Sequence, residues 1–146
     1  MDKQLHLRII LEKPPQGVDF GLQLGSGNKF DTVQKQRSGA ADLVFTLEVI
    51  VRKSKDGCPD FFGPYVQGPG SERFIYLDIG TIAGQLDSVW SRRLKIPLRD
   101  ISWDSVDKVM VADNMILETL VPGTARDGGP NCATVKPFAG WQVKTV

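Results

Sequence analysis

The chain has 146 residues, 41% hydrophobic and 24% charged, with 18 Lys and Arg against 17 Asp and Glu and a formal net charge of +1. That length suits a single domain, 1–146, with a real core, and the near-neutral balance excludes a general electrostatic grip on nucleic acid or an anionic membrane. No segment approaches the roughly 20 apolar residues of a membrane-crossing helix, and the longest apolar stretch, 43–51, is interrupted by Glu48.

The dominant period along the chain is two, the mark of half-buried strands. Leu5, Leu7, Ile9 and Leu11 alternate with His6, Arg8 and Glu12, and Pro14-Pro15-Gln16-Gly17 closes the run as a turn. Val18, Phe20, Leu22 and Leu24 alternate again, so the two runs are expected to pair as a first hairpin. Residues 30–37 are polar and weakly patterned, which fits an edge strand. Leu43, Phe45, Leu47, Val49 and Val51 form the cleanest strand, followed by the charged loop Lys53-Ser54-Lys55-Asp56-Gly57. Further strands are predicted at 61–67, 74–79 and 92–98, separated by Gly and Pro.

One segment, 103–111, reads as a helix. Ser102 stands at its N-cap, Trp103, Val106, Val109 and Met110 fall at helical spacing, and Asp104 and Asp107 lie near the positive end of the dipole. Residues 116–122 and 131–137 then read as a closing hairpin around Asp127-Gly128-Gly129, and a last strand is predicted at 141–146. Many short strands and one short helix give a mainly β fold, an antiparallel β-sandwich or small flattened barrel.

Chemistry is sparsely signalled. One histidine, His6, and two cysteines far apart in sequence, Cys58 and Cys132, supply too few ligands for a zinc site. Read as a calcium loop from Asp100, the acids place Ser105 where glycine belongs and Val111 where the bidentate glutamate belongs. Gly25 and Gly27 begin a dinucleotide-type fingerprint, but Phe30 occupies its third glycine. No cofactor and no metal is therefore expected. With an acid at position 2 and no signal-like apolar run at the start, a cytoplasmic location with reduced cysteines is expected.

The most distinctive stretch is 63–81, GPYVQGPGSERFIYLDIGT, in which glycines and prolines set sharp turns around two strands. If these strands pair, Gln67 and Arg73 flank their turn and Tyr65 and Tyr76 are neighbours. Trp90, Arg92 and Arg93 follow, the two arginines on opposite faces of a strand. Gln67, Arg73, Tyr76, Trp90, Arg92 and Arg93 are the candidate binding residues for a small polar or anionic ligand. The competing reading of Arg73 is an ion pair with an acid, and that of Arg92 and Arg93 is an ion pair with Asp78 or Asp60.

The segments GPYVQGP, RFIYLDIGT, WSRRLKIPL and PNCATVKP together resemble the signature of a family of uncharacterised bacterial domains, a domain of unknown function. The resemblance runs over about 18–141 and is most specific in the second half. It implies a bacterial, cytoplasmic single domain and supplies no activity. Three functions thus compete: a non-enzymatic binding module near the 63–81 hairpin, a self-associating protein using strand edges and a Phe61/Trp90 surface, and an enzyme using carboxylates such as Asp60 and Asp78. The binding module ranks first.

Overall fold

Leu43, Phe45, Leu47, Val49 and Val51 all turn inward while Val44, Thr46, Glu48 and Ile50 face out, so the period-two pattern becomes one buried and one exposed sheet face. The computed structural model describes residues 3–14, 16–26, 29–68, 72–80, 93–111, 114–122, 128–129, 132–134 and 140–146. For residues 25, 26, 29–32, 79, 80, 93, 128, 129 and 132–134 it describes the backbone course alone.

The strands in chain order are β1 (Lys3–Glu12), β2 (Asp19–Ser26), β3 (Lys29–Arg37), β4 (Leu43–Lys53), β5 (Pro59–Phe62), β6 (Val66–Gln67), β7 (Phe74–Gly80) and β8 (Arg93–Pro97). Helix α1 (Trp103–Met110) follows, then β9 (Met115–Pro122), β10 (Gly128–Gly129), β11 (Cys132–Thr134) and β12 (Gln142–Thr145). They form two sheets, one ordered β12-β9-β1-β4-β5 and the other β10-β11-β8-β7-β2-β3, with β6 also paired to β7. Leu5, Leu7, Ile9, Phe45 and Leu117 from the first sheet and Phe20, Leu22, Ile75, Leu77, Leu94 and Ile96 from the second join one buried cluster. The fold is mainly β, a flattened sandwich with one short helix.

Pairing corrects two expectations. β1 and β2 do not form a hairpin: β1 pairs with β4 and β9, whereas β2 pairs with β3 and β7. Alternation marks a strand's buried face but not its partner, and the long Pro-containing connector is unlike a tight hairpin turn, so it crosses between sheets. Its exit is tied to the end of β3, Gly17 N donating to Ser38 O at 3.0 Å and Ser38 N to Val18 O at 2.9 Å. The expected closing hairpin also divides, β9 going to the first sheet and β11 to the second, where it runs parallel to β8. The β1–β9 pairing is parallel too, so the fold is not purely antiparallel.

The expected strand 61–67 breaks in two at Gly63, whose φ of +141° lies outside the strand region open to other residues. The helix forms as its cap requires, with Ser105 N donating to Ser102 Oγ at 3.2 Å. Val106 and Val109 enter the common core, and Trp141 ties the two sheets together by donating from Nε1 to Pro97 O at 2.8 Å.

On the outer face of the first sheet, Arg8 spans three strands. Its guanidinium contacts Glu118 Oε2 at 2.6 Å and donates to Thr145 O at 3.0 Å, with side-chain exposures of only 20% for Arg8 and 10% for Glu118. Among the described residues, the Oγ1 of Thr119 is a buried polar atom with no hydrogen-bond partner.

Candidate functional site

The segment 66–75 is a hairpin: Val66 lies opposite Ile75 and Gln67 opposite Phe74. Gly68 leaves β6 with φ +90°, and a Cβ there would fall 2.6 Å from Glu72 O and 2.5 Å from the Phe74 ring. Only glycine fits this turn without displacement. Its carbonyl is the acceptor for Arg73 Nη1 at 2.5 Å, so the turn and the arginine position one another.

Arg73 is held from two further sides. Its Nε donates to Asp60 Oδ1 at 3.3 Å, and its guanidinium carbon lies 4.9 Å from the Phe62 ring centroid. Asp60 in turn accepts from Phe61 N at 2.9 Å. The arginine therefore takes the ion pair that the competing reading foresaw, yet it still lines a cleft of about 430 Å³ with Ser54, Lys55, Cys58, Asp60 and Arg99. A smaller depression of about 200 Å³ continues past Arg73 and Arg99 to Glu72, Phe74 and Lys95. Arg73 and Arg99 are the residues common to both hollows.

The far wall of the cleft is the 54–58 loop, folded about one carboxylate. Asp56 Oδ1 accepts from Ser54 Oγ and from Cys58 N, the latter at 3.2 Å, while Ser54 N donates to Cys58 O at 2.9 Å. Trp103 Nε1 donates to Gly57 O at 2.7 Å and moors the loop to α1. The Ser54 hydroxyl and then the Cys58 N–H favour the charged form of Asp56 and lower its pKa from the ordinary 3.8. A depressed carboxylate stabilises above the unfolded-state value and loses that contribution as pH falls through the folded value, which here lies below 3.8. The protection of the Cys58 amide against exchange, taken relative to an unstructured peptide at the same pH, is accordingly expected to fall in strongly acidic solution in the wild type. In Asp56→Asn that protection should be lower already at neutral pH, and equal protection in both proteins at neutral pH would refute the role of the carboxylate.

The charges around the cleft are unequally satisfied. Asp60 is engaged by Arg73 and Asp56 by its own loop. Lys55 and Arg99 make no hydrogen bond or ion pair with any described residue, and Lys95 rests only against the Phe74 ring, 4.3 Å from its centroid. Among the described lining residues without a hydrogen-bond or ion-pair partner, Lys55, Lys95 and Arg99 outweigh the single acid Glu72, so the balance of the hollow is positive, which suits an anion.

The other predicted residues go elsewhere. Gln67 Nε2 donates to Gln23 Oε1 at 2.8 Å, and the buried Gln23 passes its own amide N–H to Asp78 Oδ2 at 3.1 Å. Tyr76 packs edge-on against Phe74, 4.7 Å between centroids, on the same outer face. Arg93 lies opposite Asp78 in the β7–β8 register, its side chain being outside what is described. Trp90 and Arg92 lie outside the described residues. Gln67 and Arg73 thus flank one turn but point apart, and of the three whose side chains are described, Gln67, Arg73 and Tyr76, it is Arg73 that lines the cleft.

Arg99, Lys55 and Lys95 were not singled out by sequence. The one signal that finds Arg99 is strand pairing: Phe74 faces Pro97 and Leu98 N donates to Arg73 O at 2.9 Å, which sets the residue after Leu98 beside Arg73. Two further expectations change here. Phe61 is 1% exposed and belongs to the core, so it offers no surface for self-association. Asp60 and Asp78 stand on different sheets, each with its own partner, and do not form a carboxylate pair. His6 is exposed, with Nδ1 3.5 Å from Glu48.

The model of a family of unknown function, DUF5990, matches residues 5–144, and the chain belongs to that family. No curated protein and no solved structure matches the chain. No helix among the described residues is long and apolar enough to cross a membrane.

Proposed function

We propose that this member of the family is a non-enzymatic binding domain that takes a small anionic molecule in the Arg73–Arg99 cleft. The observation that carries the reading is the contrast between the two arginines. Arg73 is immobilised by Asp60, Gly68 O and Phe62, whereas Arg99, beside the same hollow, has no described partner. A fixed guanidinium loses little entropy on meeting a ligand, and an unpaired one has its full charge to give. Lys55 and Lys95 extend the positive rim at either end. Gln67 serves the site indirectly by bracing β6 against Gln23, and the exposed free thiol of Cys58 on the cleft wall favours a reducing, cytoplasmic setting.

The test is thermal unfolding with inorganic phosphate, pyrophosphate, citrate and nucleoside monophosphates in turn, followed by titration of whichever raises Tm. Arg99→Ala removes no hydrogen bond or ion pair with a described residue, so it is expected to unfold like the wild type yet bind the anion about tenfold to a hundredfold more weakly, the loss of one charge-assisted hydrogen-bonding group. Arg73→Lys keeps the charge and loses the fork, and should weaken binding similarly. Wild-type affinity in Arg99→Ala, or no stabilisation by any of these anions, would overturn the reading.

A further inference from the structure

The two sheets approach each other at β3 and β4 without joining. Strand β4 pairs with β1 from Leu43 to Val51, but on its other edge β5 is registered only against Ile50 to Lys53. Between Leu43 and Val49 no described strand pairs with that edge. Strand β3 is in turn the last strand of its own sheet. Among the described residues two unpaired edges therefore face each other, an arrangement that invites another strand and that proteins ordinarily blunt.

What lies across the gap is side chain, not backbone. Gln36 Nε2 donates to Val44 O at 2.6 Å, and Gln34 Nε2 donates to Thr46 O at 2.9 Å and to Tyr65 Oη at 3.3 Å. Val44 and Thr46 are two residues apart, so their carbonyls leave β4 in one direction at the repeat of a strand. Two primary amides thus stand where the backbone amides of a neighbouring strand would stand. A direct backbone ladder would hold the strands about 4.8 Å apart, and the length of the glutamine side chains keeps this seam wider.

The aim of Gln34 has a backbone cost. Between the pairs Leu22–Val33 and Phe20–Gln36 the register slips, leaving Gln34 and Lys35 opposite the single residue Gly21. Gln34 takes φ +54°, the left-handed position that glycine usually fills in such a bulge. A non-glycine residue there is strained, and strain of this kind points to a use for the side chain. Beside the seam lies a groove of about 380 Å³ whose walls include Gln34, Thr46, Leu47, Val49, Pro64 and Tyr65.

We propose that the β3–β4 seam accepts an extended peptide as an additional strand. The peptide's alternate N–H groups replace the glutamine amides on the carbonyls of Val44 and Thr46, while its side chains enter the groove by Tyr65 and Pro64. Gln34 and Gln36 act as a latch that satisfies the edge when no peptide is present. The occupant is recognised by its backbone, as in strand addition generally, with the groove selecting side chains. This site is separate from the Arg73–Arg99 cleft and stands or falls independently of it.

The experiment is selection of a random nine-residue peptide display library on the full chain, with synthesis of the enriched peptide and amide NMR titration. Val44, Thr46 and Glu48 amide signals should move together. N-methylation of alternate peptide amides in one phase should weaken binding at least tenfold. Gln34→Ala combined with Gln36→Ala should bind about threefold to tenfold more tightly, because two competitors for the carbonyls are gone. Thr46→Pro should abolish binding, since the proline blocks the seam edge while Thr46 makes no ladder bond to β1. Should Thr46→Pro fail to unfold cooperatively, the N-methylated peptides and the glutamine variant decide alone. The proposal is overturned if no peptide is enriched, if binding tolerates N-methylation in both phases, if loss of both glutamines leaves affinity unchanged, or if the bound peptide shifts the Arg73 and Arg99 signals instead.

Discussion

Gly68→Ala is expected to destabilise the protein by roughly 2–4 kcal/mol and to abolish anion binding together with the turn. The residue has φ +90°, and a methyl group would sit 2.6 Å from Glu72 O and 2.5 Å from the Phe74 ring. Holding alanine at such a φ costs about 1–3 kcal/mol, and displacing packed neighbours adds a similar amount. The backbone carbonyl at Glu72 cannot swing aside as a flexible side chain can. Relief requires the turn to open, which takes Gly68 O from Arg73 and Phe74 from under Lys95. Chemical denaturation measures the first effect and ligand titration the second. A variant with wild-type stability would mean that the turn has another accessible form.

Glu118→Ala should cost about 2–3 kcal/mol, whereas Arg8→Met combined with Glu118→Leu should be close to neutral. The pair is four-fifths or more buried on both sides, and Arg8 also holds Thr145 O, so one guanidinium fixes β1, β9 and β12. Removing the carboxylate alone leaves a cation enclosed on a sheet face with half of its partners gone. A fully buried pair broken this way loses about 3–5 kcal/mol, and the residual exposure of Arg8 lowers the expectation. Removing both charges exchanges a desolvated pair for apolar contact with Ile116, already buried in the same sheet. Denaturant unfolding of the single and double variants checks the contrast. A double variant as unstable as the single one would show that Arg8 matters for its hydrogen bond to Thr145 and not for its charge.

How far the sequence is legible depends on what each pattern encodes. The buried face of β4 and the cap of α1 are read directly, because both follow from local spacing. The partners of β1 are not, since Leu5, Leu7, Ile9 and Leu11 would face a core equally well beside β2 or beside β4. The ion pair of Arg73 is foreseen as one of two readings, but its acid is not, Asp60 being named only as a partner for Arg92 or Arg93. Arg99 is invisible because nothing in a turn residue announces which strand end it will adjoin. Gln34 and Gln36 read as the polar filling of an edge strand, which they are. Their second role depends on β4 ending its pairing early, a property of the other sheet. Local periodicity is thus legible, while anything created by the meeting of two elements is legible only after strand order is known.

The parallel partnership of β1 with β9 has a consequence for how the chain is made. Strand β1 leaves the ribosome well before its partner Leu117–Pro122, Arg8 and Glu118 being 110 residues apart in the chain. Its pairing with β4 can form early, but the other edge of the strand stays open until β9 has emerged. Contacts so distant in sequence are slow to close, and an open strand edge is the surface through which nascent chains aggregate. In the folded protein Arg8, in the middle of that strand, meets its partner Glu118 on the late-arriving β9.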